Sequence, residues 1–182
     1  MSGAPGWVAL AWRLPAGVST PRVTTWRNLR RLGAARLTPG AALLPYREDL
    51  QEQLDWLAQE IENLGGEAWV LPVTGLSESE ERVVRERMAA DRNEEYRALE
   101  EDALAFLSRR SAHGVRADDY AARLQVDKEL LALQRRFGKI RARDYVSAPG
   151  RAAAAEVIDR CLAYRQGISP KLLRVTDPEE MS

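Results

Sequence analysis

Five cations crowd nine residues of the stretch QRRFGKIRARDY: Arg135, Arg136, Lys139, Arg141 and Arg143. Leu130, Leu133, Phe137 and Ile140 recur at helical steps and give this segment an inward side. At about 100° per residue, Arg135, Arg136, Lys139 and Arg143 then spread over the remaining sides and can reach outward. An exposed Arg-rich helix suits phosphate contact, because each neutralised phosphate releases a counterion and strengthens binding at low salt. A second group, Arg22, Arg27, Arg30 and Arg31, lies off the apolar side of an earlier predicted helix, with Arg13 in the neighbouring loop. A structural alternative stands beside each functional reading. The first group can pair with the acidic helix over 78–102, and the second with the acidic helix that begins at 48.

Charge is segregated although the formal net charge is zero. The first 47 residues hold seven arginines and no acid, residues 48–107 hold seventeen acids against five arginines, and residues 108–174 hold fifteen Arg or Lys against seven acids. Such blocks make a field that an anionic partner can read, or they neutralise one another within one fold. Only three of the 27 basic residues are lysine, which high-GC codon usage explains without any functional cause.

Catalytic chemistry finds little footing. His113 is the sole histidine and falls in a predicted loop at a helix end, where capping or solvation outweighs general-base work. Cys161 is the sole cysteine, on the apolar side of the last predicted helix beside Arg160, and reads as a buried, inert thiol. One His and one Cys cannot make a His/Cys zinc set. Neither a Walker-type phosphate loop nor a G-x-G-x-x-G turn is present. Asp118-Asp119 and Glu100-Glu101-Asp102 read as solvated helix faces. No enzyme, no metal and no cofactor is expected.

At 182 residues the chain can bury one core or two small ones. Hydrophobic residues make up 45%, close to an average soluble domain. No apolar run approaches the ~20 residues that span a bilayer, and the N-terminus lacks a secretory pattern. A lone cysteine fits a reducing compartment. A cytoplasmic protein without membrane contact is the expectation.

The elements that must position these cations fall into two halves. Trp7–Trp12 reads as a buried strand. Ser19 or Thr20 caps a helix with Pro21 just inside, Val23, Trp26 and Leu29 form its inward face, and Gly33 ends it. Ala35–Thr38 and Ala41–Pro45 read as strands joined at Pro39-Gly40. A helix over 48–64 carries Leu50, Leu54, Leu57, Ile61 and Leu64, Gly65-Gly66 stops it, and Glu67–Val73 is the last strand. The order β-α-β-β-α-β is the ferredoxin-like arrangement. From Ser77, where Glu80 completes a capping box, the pattern is helical: about Glu78–Ser108, a loop at Ser111–Val115, about Ala117–Phe137, a break at Ala148-Pro149-Gly150, and about Ala152–Gln166. The fold class is therefore α+β, with a ferredoxin-like sheet domain over 1–75, an all-helical hairpin or bundle over 76–168 and a loose tail over 169–182.

The segment WVALAWRLPAGVSTPRVTTWRNLRRLGAARLTPGAALLP, then LDWLAQEIENLGGEAWVL, resembles the N-terminal domain of the ChrB family of bacterial chromate-resistance regulators. The stretches EEYRALEED and RRFGKIRARDYVSAPGRAAA are similar to that domain's helical half, so the likeness runs from about residue 5 to residue 166. The most specific motifs are Arg13–Arg22, Arg30–Ala34 and Ile140–Tyr145. The resemblance implies DNA-binding repression of chromate-efflux genes. The family's second, C-terminal domain is not matched here, which implies a module acting alone or with a separately encoded effector domain. The sheet half is also similar to the small ferredoxin-like domain of phenylacetate-pathway repressors and of a CRISPR-associated nuclease subunit. That nuclease places an acidic metal ligand at the end of its first strand, where this chain has Trp12-Arg13-Leu14-Pro15.

The leading expectation is a DNA-binding regulator, working as a homodimer, that grips phosphates through Arg22, Arg27, Arg30, Arg31, Arg135, Arg136, Lys139, Arg141 and Arg143. The alternatives are a non-catalytic interaction or oligomerisation module and a protein whose paired arginines bind an oxyanion such as chromate or sulfate.

Overall fold

The computed structural model describes residues 6–15, 19–113 and 120–166, with the side chains of 19 and 111–113 left aside. In chain order the elements are β1 (Trp7–Arg13), α1 (Ser19–Leu32), β2 (Ala35–Thr38), β3 (Ala41–Pro45), α2 (Glu48–Asn63), β4 (Glu67–Val73), α3 (Glu78–His113), α4 (Tyr120–Ala142) and α5 (Gly150–Arg165). The class is α+β, as expected: a β-α-β-β-α-β stretch and then helices. The expected tail over 169–182, Asp118, Asp119 and the side chain of His113 lie outside the described residues.

The four strands form an antiparallel sheet in the order β2-β3-β1-β4. Strand β3 separates β1 from β2 and β1 separates β3 from β4, so each βαβ half is split by a strand of the other. Alternation fixes the two faces. Val8, Leu10 and Trp12 of β1, with Ala42 and Leu44 of β3, meet Leu29 of α1 and Leu50, Leu54, Leu57 and Ile61 of α2. Both helices therefore cover one face. On the other face Trp7, Ala35 and Leu43 pack with Val84 and Met88 from the start of α3.

Local chemistry marks several element ends where the sequence predicts them. Gly33 closes α1 at φ +84°, and an added Cβ there would stand 2.7 Å from the Arg143 carbonyl oxygen. The backbone N–H of Trp12 donates to Gly40 over 2.7 Å, holding the Pro39-Gly40 turn against the sheet. At the head of α3 the Ser77 N–H donates to Glu80 (2.8 Å) while the Glu80 N–H donates to the Ser77 hydroxyl (3.3 Å), a complete capping box.

Four expectations need correction. The inward side of α1 is Thr25, Trp26, Leu29 and Leu32, whereas Val23 is 55% exposed. Six residues separate Val23 from Leu29 and turn it about 120° away from that direction. Helix α3 runs on to His113 instead of ending near Ser108, so part of the predicted loop at Ser111–Val115 is helical. Helix α4 runs on to Ala142 instead of ending near Phe137, because Ile140 continues the buried side at 2% exposure. Helix α5 begins at Gly150, two residues early, where the Gly150 N–H donates to the Asn93 side chain over 2.8 Å.

The chain divides into two compact units. One extends as far as Asp91 and takes in Arg143–Ala148; the other comprises Arg92–Ala142 and the chain from Pro149 onward. The border lies inside α3, not at the expected 75/76, because Val84 and Met88 belong to the sheet's core. In the helical unit Tyr96, Leu99, Ala103 and Phe106 of α3 are buried, as are Val126, Leu130 and Ile140 of α4 and Ala154, Val157, Ile158 and Cys161 of α5. Ring contacts Tyr96–Phe137 (6.0 Å) and Phe106–Tyr164 (6.2 Å) join α3 to its two neighbours.

Candidate nucleic-acid interface

In the sheet unit, α1 presents the first basic group because its inward side is used by Leu29 and Trp26. Arg22, Arg27, Arg30 and Arg31 are all exposed. Arg22 donates to the backbone oxygen of Leu14 over 3.4 Å, which steadies the guanidinium without neutralising it. No carboxylate partner holds Arg27 or Arg31 among the described residues. Arg30 and Arg31 fall in the last turn of α1, where the helix dipole favours cations. Arg31 also borders a shallow groove of about 280 Å³ with Asn28, Gln53, Trp56 and Glu60.

The remaining arginines of the opening block are committed elsewhere. Arg13 pairs with Glu67 at 3.1 Å, and Arg36 stacks over Trp26 at 4.6 Å. Arg47 holds Asp49 through two bonds of 2.9 and 2.8 Å, and that hydrogen-bonded carboxylate raises its pKa further.

In the helical unit the second group sorts into three kinds. Arg135 and Lys139 are exposed and four residues apart, hence on one side of α4, with no ion pair among the described residues. Arg136 is bonded to Asp102 of α3, which realises the pairing alternative at that position. Arg141 leans its guanidinium over Phe137, 6.0 Å from the ring centre. The same cross-helix neutralisation occupies Arg109 and Arg110 on Glu129 (3.5 and 3.0 Å) and Arg165 on Asp127 (2.8 Å).

Arg143 departs from the expectation. It lies beyond the end of α4 and belongs to the sheet unit, half-buried, with its Nε inaccessible to solvent. Its backbone packs on Gly33. The nine-residue cluster is thus divided between the two units, and the helix supplies Arg135, Arg136, Lys139 and Arg141 alone.

Other candidate chemistry is confined. Burial pushes the Cys161 thiol pKa up, against a smaller opposite pull from Arg160, and its Sγ lies 3.6 Å from the Ala103 carbonyl. A cleft of about 450 Å³ in the sheet unit is lined by Trp7, Glu81, Arg85 and Tyr145 among others. Its guanidinium, Arg85, is held by Glu81 at 2.6 Å and stacks over Trp7, so it offers no free cation to an oxyanion. Among the described residues no helix is long and apolar enough to cross a membrane.

Sequence reasoning missed three exposed apolar side chains. Trp56 on α2 is 73% exposed, and its position outside the Leu50, Leu54, Leu57, Ile61 stripe signals this. Trp69 and Leu71 of β4 are 53% and 48% exposed. The signal for these is weaker, since β4 is apolar on both alternating faces and does not say which one is covered.

A family model described as Protein ChrB, N-terminal, matches residues 22–177. Among curated proteins, Protein ChrB of Cupriavidus metallidurans is 32% identical over 133 residues, which cover 73% of this chain and 37% of that protein. The chain thus matches well under half the length of this relative. No solved structure matches.

Proposed function

The chain belongs to the ChrB N-terminal family, and from that premise we propose that it is a non-catalytic regulatory module of chromate resistance that binds DNA. The observation that carries the reading is a set of exposed cations without acid partners among the described residues: Arg27 and Arg31 on α1, Arg135 and Lys139 on α4. Arg22 and Arg30 flank the first pair and Arg141 the second. In a chain this rich in acids, cations left unpaired on a helix surface favour an anionic partner from outside. Phosphates are the natural partner, because guanidinium groups at helical spacing match a repeating backbone better than a single small anion.

The test is binding of duplex DNA from upstream of the gene, followed by fluorescence anisotropy over a series of salt concentrations. Four phosphate contacts predict that log K falls against log salt with a slope of about −3.6. A flat response, or no binding at low salt, overturns the proposal.

A second reading, an interaction module, is favoured by the uncovered Trp69 and Leu71 on one sheet face.

A further inference from the structure

The two edges of the sheet are unlike. Strand β2 has four residues, an irregular register between Arg36 and Thr38, and a charge; each of these blunts an edge. Strand β4 has seven residues in unbroken register with β1 and no charge from Ala68 to Val73. Among the described residues it pairs with β1 alone.

The backbone groups that β4 turns outward follow from the ladder. Trp12 donates to Gly40, and Tyr46 donates to Gly6, so the even residues of β1 address β3. Its odd residues Trp7, Ala9, Ala11 and Arg13 then address β4, where they oppose Val73, Leu71, Trp69 and Glu67. Ala68, Val70 and Pro72 are left pointing away from the sheet. Pro72 has no N–H, and at an outward position its missing donor breaks no existing bond. Trp69 and Leu71 project from the face opposite α1 and α2, each about half exposed.

We propose that a second copy of this chain adds to β4 in antiparallel fashion, about a two-fold axis through Val70. In that register each Val70 N–H donates to the partner's Val70 carbonyl, and each Ala68 N–H donates to the partner's Pro72 carbonyl. Both outward donors of the strand are satisfied, and the proline falls where no donor is needed. Trp69 lands opposite the partner's Leu71, in the closely spaced position of an antiparallel pair. The two exposed apolar side chains are therefore complementary to each other only across a two-fold axis, as an isologous contact requires. Glu67 at the strand's end is already neutralised by Arg13, so pairing brings no unpaired charge into the strand contact.

Area sets the strength. The two Trp69 and two Leu71 side chains hide roughly 400 Å², about a third of the ~1,200 Å² at the lower bound of stable interfaces. The association is accordingly weak and concentration-dependent. Helix α2, which packs on β4, carries six acids and no base. Joining two copies at β4 brings these like charges nearer, so salt tightens the dimer. Phosphate binding has the opposite salt dependence, which separates this inference from the DNA-binding proposal: either can fail while the other stands.

Sedimentation of the full chain over micromolar to near-millimolar concentration is expected to show a monomer–dimer equilibrium that shifts toward dimer with added salt. Trp69→Lys is expected to weaken it at least tenfold, with helix content and melting temperature unchanged because the site is already exposed. Register is tested by cysteines: under mild oxidation, a mixture of Trp69→Cys and Leu71→Cys proteins forms a covalent dimer, whereas neither variant does alone. A monomer at all concentrations overturns the proposal, as does a dimer indifferent to Trp69→Lys. Cross-linking of Trp69→Cys with itself overturns the register. A wild-type chain that stays monomeric yet takes an extended peptide at β4 assigns the edge to another protein and also overturns it.

Discussion

The hydroxyl of Tyr145 donates to the carbonyl of Leu32 over 2.9 Å, across 113 residues of sequence. Leu32 is the last residue of α1, and its carbonyl is one of those a helix leaves without an internal partner. The next residue, Gly33, turns through φ +84° directly against the backbone of Arg143. Asp144 closes the same short segment by accepting the Ala148 N–H at 3.0 and 3.1 Å. Together these contacts fasten the end of α1, where Arg30 and Arg31 sit, to a segment that follows α4.

Gly33→Ala is therefore expected to destabilise the sheet unit by about 1–3 kcal/mol, from left-handed backbone strain and from a clash with backbone that cannot swing aside. Tyr145→Phe removes one hydrogen bond and is expected to cost about 1 kcal/mol. Urea unfolding followed by tryptophan fluorescence checks both, and the glycine substitution must be the more harmful.

The exposed cations should differ in their effect on DNA. Arg135→Ala and Lys139→Ala are each expected to lower affinity uniformly across sequences and to reduce the salt slope by about one. Arg136→Ala is expected to do less, because its charge is already engaged by Asp102. Anisotropy titrations at two salt concentrations decide between them. Equal losses for all three would mean that Asp102 releases Arg136 on binding.

Acid should loosen both units. Arg165, by hydrogen bonding, holds the Asp127 carboxyl below its usual pKa, and the Ser77 hydroxyl followed by the Ser77 N–H does the same for Glu80. A carboxyl with a depressed folded pKa contributes stability above its unfolded value and loses it as pH falls through the folded one. Melting temperature is thus expected to be level from pH 7 to about 5 and to drop below about 4. Ser77→Ala and Arg165→Ala should each flatten the acid limb, as melts across that range will show.

Cys161 should resist alkylation in the native protein at neutral pH and react fully in denaturant, since burial both shields the thiol and raises its pKa. Prompt native labelling by iodoacetamide would contradict this placement.

Much of the sheet was legible because its punctuation is chemical. Pro39-Gly40, Gly33, Gly65-Gly66 and the Ser77–Glu80 box each force a turn or a cap whatever the packing, and the strands between them follow. The helical half was legible in its buried side, Tyr96 through Phe106, but less so in its limits. Gly138 costs the helix about 1 kcal/mol relative to alanine, yet α4 runs through it because Ile140 beyond is buried. Site residues were legible as types, not as states. Sequence marks Arg135 and Arg136 alike, yet one is exposed and the other paired, because a neighbour's identity depends on how α3 and α4 are placed side by side. Arg143 is half-buried for a similar reason: the helical periodicity that would turn it outward ends at Ala142, and its backbone meets Gly33 at the end of α1.

The segment Arg143–Ala148 belongs with the sheet although Arg92–Ala142 intervenes. A ribosome therefore releases every strand long before it releases the residues that lock α1 in place. Until Ala148 emerges, the nascent sheet lacks Tyr145 over Leu32 and keeps the Gly33 turn bare. Maturation of the first unit must wait for most of the second to be made, so it gains its last contacts only just before α5 emerges to complete the second.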